Sequence, residues 1–166
     1  LQKAQEMERQ GRKILHFELG DPDFATDENV MKVAYGSMKS GLTHYCPSSG
    51  MRELKEAAMI VTQRSRGFIP SLNQLLVTPG ANAQIYYALA VICNPQDRII
   101  VPDPGFVSYY SIADMLEIGV DRVPLSQSNG FHFDMQDIRK KINGNTKAII
   151  INSPSNPTGA VLTQDE

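Results

Sequence analysis

Two rhythms divide the chain. Up to residue 71, apolar positions recur at helical spacing; from residue 72, short unbroken apolar runs alternate with helical stripes. The first ~20 residues read as a polar helical arm that passes into a short extended stretch, Ile14 to Leu19. Gly20-Asp21-Pro22-Asp23 reads as a turn, because Pro22 fixes its own φ and disfavours helix at Asp21. Thr26 is the predicted N-cap of a helix with Asp27 and Glu28 in its first turn. Its stripe is Val30, Val33, Ala34 and Met38, and it ends at Gly41. A loop from Thr43 to Gly50 follows. The next helix is predicted from Met51 to Arg66, with Leu54, Ala57, Ala58 and Val61 facing inward and Gly67 after its end.

Beyond residue 72 the predicted strands centre near residues 76, 100, 122 and 149. Helices fall between them at Ala81–Ile92, Val107–Glu117 and Asp134–Ile142, the last capped by Asp134. Short continuous apolar strands alternating with helices predict an α/β fold: a parallel-dominated sheet with helices on both faces, preceded by a helical N-terminal segment. In such sheets ligands bind where loops leave the carboxyl ends of the strands. Three loops qualify here: Thr78–Ala83, Pro102–Phe106 and Asn152–Gly159.

Composition narrows the reading. The 166 residues are 42% hydrophobic and 20% charged, which excludes general disorder, collagen and a coiled-coil rod. With 16 basic against 18 acidic residues the net charge is −2, which argues against an electrostatic nucleic-acid binder. No apolar run approaches the ~20 residues of a membrane span. The N-terminus is polar rather than signal-like. Cys46 and Cys93 are far apart and form no CxxC, so a reducing, cytoplasmic setting is expected. The chain begins at Leu1 and stops at Thr163-Gln164-Asp165-Glu166, where a helix is predicted to start under a Thr163 cap. A fragment of a longer chain is therefore expected.

Each loop carries a chemical reading and a plain one. Pro79-Gly80 followed by small residues would let backbone N–H groups of Ala81 and Asn82 face a phosphate at a helix N-terminus. The same residues also suit an ordinary βα turn. Phe106, after Pro104-Gly105, could stack on a flat heteroaromatic ligand, or it could be a core aromatic. Tyr109 and Tyr110 read as packing residues with solvated hydroxyls. In Asn152–Gly159 two prolines hold Asn156 rigidly at a strand end, where its amide could donate to a phenolate-like oxygen; a rigid turn without a ligand is the alternative.

Ser153-Pro154-Ser155-Asn156-Pro157-Thr158-Gly159 resembles the NPTG signature of class I/II aminotransferases, the pyridoxal-5′-phosphate enzymes of the aspartate aminotransferase family with fold type I. Four more segments are similar, in order. Leu19–Phe24 resembles the GEPDF segment, and Tyr45 to Gly50 the Y-x-P-x-x-G loop. Thr78–Ala83 sits at the place of the phosphate loop, and Val101–Phe106 resembles the VPxPxF/W/Y element. The resemblance implies residues 1–45 as an N-terminal arm and small-domain segment, and 46–166 as the first part of the cofactor-binding large domain. It implies Gly20 beside the substrate carboxylate and Tyr45 reaching the cofactor phosphate of the partner's site in a homodimer. It also implies Ala81 and Asn82 as backbone phosphate donors, Phe106 stacked on the pyridine ring, and Asn156 bonded to its phenolic oxygen. Substrates would be an amino acid and a 2-keto acid. A lyase or synthase on the same fold, and a non-catalytic fragment, are the alternatives. The chain departs from the family in two ways. Ala81-Asn82 stands where relatives often carry a Ser/Gly pair. The Schiff-base lysine segment is also missing: none of the eight lysines lies in one, so no catalytic residue is expected among these 166.

Overall fold

A computed structural model describes residues 1–17 and 19–163. The chain forms two units, Leu1–Cys46 and a second that begins at Pro47. In the first unit, α1 (Gln2–Arg9) is shorter than the polar arm expected from sequence. The chain leaves it through Gly11 at φ 83°, a conformation that favours glycine. Helix α2 (Glu28–Lys39) is capped by Asp27, not Thr26: the Asp27 carboxylate accepts the Asn29 N–H at 2.8 Å. Glu28 in its first turn and Lys39 in its last both complement the helix dipole. Neither helix has a buried residue.

The second unit opens with α3 (Arg52–Arg66), closed by Gly67 in the left-handed conformation. Its predicted inward face is wrong. Leu54 and Val61 are 51% and 61% exposed, and Lys55 is the buried residue, its Nζ donating to Ser49 Oγ at 3.3 Å. Lysine can be buried here because its long apolar stem packs while the ammonium keeps a polar partner.

The predicted strand at 75–77 does not form. A strand exists only through its ladder, and among the described residues Val77 makes only one backbone bond across to another segment, donating to Ser49 O at 3.1 Å. Among the described residues no strand of the sheet lies alongside 75–77 to complete a ladder. The strands near 100, 122 and 149 do form: β1 (Arg98–Asp103), β2 (Gly119–Pro124) and β3 (Thr146–Ile149). Their order is β2-β1-β3, all parallel. Ile150 N–H donates to Ile100 O at 2.9 Å, which extends the β3 pairing by one residue.

Helices α4 (Ala81–Ile92), α5 (Val107–Met115) and α6 (Met135–Lys141) cover the sheet. Alternation along β1 sends Ile99 and Val101 to one face, where they meet Leu89 of α4 and Tyr109, Ile112 and Ala113 of α5. Ile100 points to the other face, against Val123 and Ile138 of α6. Ile99, Ile100 and Val101 are all 0% exposed, and burial of such side chains contributes about 1.5–3 kcal/mol each. Asp134 caps α6 as expected, accepting the Gln136 N–H at 2.8 Å. At the amino end of the sheet Arg98 grips Asp121 with two bonds of 2.7 Å. Among the described residues no helix is long and apolar enough to cross a membrane. The helix predicted to start at Thr163 falls on 164–166, outside the described residues.

Candidate active site

Parallel strands place the loops that follow β1 and β3 at the carboxyl end of the sheet, and the N-terminus of α4 carries the third loop. In that third loop Gly80 caps α4 at φ 86°. Its N–H donates to Thr78 O at 2.8 Å, and Thr78 Oγ1 donates to Gly80 O at 3.1 Å. Ala81 and Asn82 fill the first two helical positions, so their N–H groups have no acceptor within the helix. Both residues are exposed. The turn is not preceded by a strand, contrary to expectation; it is held by its own hydrogen bonds.

The loop after β1 is clamped by a hydroxyl that the sequence reading left to solvent on an otherwise packing side chain. The Tyr110 hydroxyl donates to Pro102 O at 2.6 Å. Arg122 lies over the Tyr110 ring, 4.6 Å from its centroid, and its Nη1 is 3.4 Å from Asp103 Oδ2. Burial, with Asp103 second, pushes the Tyr110 hydroxyl pKa up, and Arg122 opposes the shift, so this phenol is a hydrogen-bond donor at neutral pH. A Cβ on Gly105 would come 2.4 Å from Pro102 O and 3.1 Å from the Tyr110 hydroxyl. Glycine is therefore required by close approach, not by φ. The clamp delivers Phe106 to the start of α5, where its half-buried ring meets Tyr109 edge-on, centroids 5.6 Å apart. Phe106 thus packs on the core cluster while remaining partly exposed.

The loop after β3 is braced by a set of short internal hydrogen bonds. Ser155 N–H donates to Ala160 O and Gly159 N–H to Ser155 O, both at 2.8 Å. Ser153 Oγ accepts the Leu162 N–H at 3.0 Å. Asn152 Oδ1 accepts the Asn156 N–H at 2.8 Å while its Nδ2 donates to Pro154 O at 3.1 Å. Asn156 itself is exposed, and among the described residues its side-chain amide makes no hydrogen bond; only its backbone is used. Pro102, Asn152 and Ser155 line one small cavity, which brings the loops after β1 and β3 side by side.

Ala81, Asn82, Phe106 and Asn156 all belong to the second unit. Gly20 and Tyr45 belong to the first, where Gly20 has open space around its Cα and the Tyr45 ring is fully exposed. Sequence reading missed Asn152 and Tyr110. The signal for Asn152 was present: an amide four residues before Asn156, across a stretch where prolines remove backbone donors. Nothing in the sequence distinguished Tyr110 from Tyr109. In the second unit the lysines lie on α3, on α6 and at the amino half of β3, away from the carboxyl ends of the strands.

Comparison with known proteins agrees with this arrangement. The family model "Aminotransferase class I and II" matches residues 12–166. An aspartate aminotransferase of Pyrococcus horikoshii is 36% identical over 152 residues, covering 92% of this chain and 39% of its own length. A probable aspartate/prephenate aminotransferase of Rhizobium leguminosarum is 36% identical over 165 residues, covering 99% of this chain and 41% of its own length. The solved aspartate aminotransferase from Thermus thermophilus with maleate superposes with a TM-score of 0.94 at 34% identity, over 99% of this chain and 43% of that one. The chain thus spans about two-fifths of the length of the curated relatives it matches. A three-stranded parallel sheet in the order β2-β1-β3, a glycine-capped helix and a proline-rigidified Asn156 loop, matched over nearly the whole chain, establish that it belongs to the class I/II aminotransferases, the fold type I family of pyridoxal-phosphate enzymes.

Proposed function

We propose that these residues are the N-terminal part of an aminotransferase that moves an amino group between an amino acid and a 2-keto acid, with pyridoxal 5′-phosphate as cofactor. The observation that carries this reading is the Asn156 amide. It is exposed and unbonded on a loop braced by the Ser155–Ala160, Gly159–Ser155 and Asn156–Asn152 hydrogen bonds, so it is held ready for an outside acceptor at little cost in loop ordering. The donor set fits the cofactor's chemistry. Free N–H groups of Ala81 and Asn82 at the positive end of a 12-residue helix suit a phosphate dianion. The partly exposed Phe106 ring suits a flat heteroaromatic, and the Asn156 amide suits an ionised phenolic oxygen. When bound, the cofactor supplies an electron sink for the carbon that loses its proton.

The chain's own part is to hold and aim. Ala81 and Asn82 would fix the phosphate, Phe106 would cover one ring face, and Asn156 would favour the ionised oxygen. Gly20 would lie by the substrate carboxylate, and Tyr45 would act across a homodimer. The supporting facts for these two are their match to family segments and, for Tyr45, a ring left wholly exposed. A cytoplasmic setting fits two unpaired cysteines. With no lysine at the strand ends, residues 1–166 alone are expected to show no turnover of any amino acid when cofactor is supplied, measured as keto-acid formation.

The test is Asn156→Ala in the full-length protein. Loss of a hydrogen bond to a charged oxygen should cost about 1.5–3 kcal/mol, or roughly ten- to a hundredfold in turnover, with the melting temperature nearly unchanged. Normal turnover at saturating cofactor would return Asn156 to the status of a turn residue. β-Elimination product in place of keto acid from the unmodified protein would point to a lyase on the same fold.

A further inference from the structure

Between Asn152 and Thr158 the backbone has few ways to hold itself. Pro154 and Pro157 have no N–H, which leaves donors only at Ser153, Ser155 and Asn156 within the bend. Ser155 bonds to Ala160 O. The acceptor for Asn156 N–H is the side chain of Asn152, at 2.8 Å, and the same amide donates to Pro154 O at 3.1 Å. One side chain therefore bridges both arms of the bend, two residues after the last ladder bond at Ile150.

Asn152 is itself well placed for this. It is half-buried and lines a small cavity with Pro102, Leu125, Phe133 and Ser155, and its amide is held at both ends by hydrogen bonds. We infer that Asn152 is a positioning residue: by holding the Asn156 backbone N–H it sets the direction in which the free Asn156 amide presents its donor. This rests on the reading of Asn156 given above. It adds that the aim of Asn156 comes from one side chain on the strand-end segment and not from the prolines alone. Prolines restrict φ, but they leave the bend without an anchor to the sheet.

The experiment is a double-mutant cycle in the full-length protein loaded with pyridoxal 5′-phosphate, comparing Asn152→Ala, Asn156→Ala and the pair. Three quantities are read: the pH midpoint of the bound cofactor's visible absorbance, its dissociation constant by titration, and the melting temperature. A donor to an ionised oxygen favours the ionised form, so losing or misdirecting it raises the midpoint. Asn152→Ala is expected to raise the midpoint in the same direction as Asn156→Ala and to weaken cofactor binding between about twofold and tenfold. The pair is expected to shift the midpoint no further than Asn156→Ala alone, because Asn152 acts through Asn156. A lower melting temperature with an unmoved midpoint in Asn152→Ala overturns the inference, and so does a pair that shifts by the sum of its parts. An unmoved midpoint in Asn156→Ala overturns the reading of Asn156 and this inference together, which separates the two failures. If Asn152→Ala does not fold, Asn152→Leu fills the same space without either hydrogen bond, and the same outcomes decide.

Discussion

Helices α2 and α5 both carry apolar side chains at helical spacing, but they sit in different circumstances. α2, 12 residues long, has a side-chain cap, charges that suit its dipole at both ends, and no buried residue. α5 has 9 residues, no side-chain cap and no such charges, yet buries Tyr109, Ile112 and Ala113 against the sheet. One helix is specified by its ends and the other by its face. Local signals are enough to place a helix; only burial against β1 turns a helix into a support for a site. The site loops of the second unit follow this pattern, since Phe106 leads into α5 and Asn152 follows β3.

The sharpest way to break the comparison is to remove side chains from each region. Ile100→Ala, at a fully buried position, is expected to cost about 2–5 kcal/mol of stability. Val33→Ala on exposed α2 should stay within about 0.5 kcal/mol. Urea unfolding of both variants checks this, and a large cost at Val33 would mean that α2 is a packed element after all.

Glycine substitutions sharpen the contrast at smaller scale. Gly105→Ala drives a Cβ toward the Pro102 carbonyl and the Tyr110 hydroxyl, and overpacking of this kind costs about 1–3 kcal/mol. Gly36 lies inside α2, with nothing within 4 Å of the place an added methyl would take. Gly36→Ala should therefore stabilise the helix by about 0.5–1 kcal/mol. Opposite signs for the two changes in thermal unfolding are the expected result.

The smallest effect is electrostatic. The bidentate hydrogen bonds from Arg98 lower the Asp121 pKa, while burial of Asp121 pulls the other way. A carboxylate whose folded pKa is depressed contributes stability that is fully present above its unfolded value of about 3.9 and is lost as pH falls through the lower folded value. Because Arg98 is 37% exposed, the contribution is discounted to about 1 kcal/mol at neutral pH. Asp121→Asn should lower neutral-pH stability by that amount and flatten its decline on acidification. Arg52–Glu56 on α3, both ends exposed, should give about 0.3–0.5 kcal/mol when removed. Equal losses at the two pairs would show that bidentate geometry at the sheet edge adds nothing.

Much of this fold is legible in the sequence. The segments around Ile100, Val123 and Ile149 form strands because each finds a parallel partner within the chain. Asp134 and Gly67 marked helix ends because capping depends on one or two residues alone. The failures have a common physical cause. Leu75-Leu76-Val77 has the composition of a strand, but a strand needs a partner running alongside it, and composition does not record where the chain brings one. Leu54 and Val61 have the spacing of an inner face, but which side of α3 is covered depends on what packs there, and Lys55 was buried instead.

The sequence by itself determined the alternation that makes a parallel sheet, the helix ends, and the segments that mark the family, because propensity, capping and proline chemistry act over a few residues. Tertiary structure alone decided that Tyr110 ties down the β1 loop while Tyr109 fills the core, that Gly105 is needed for close approach, and that Asn152 rather than Asn156 holds the bend. Each of these depends on where a side chain's polar atom meets a backbone group several residues away, and that meeting is set by packing on the sheet, not by any local preference.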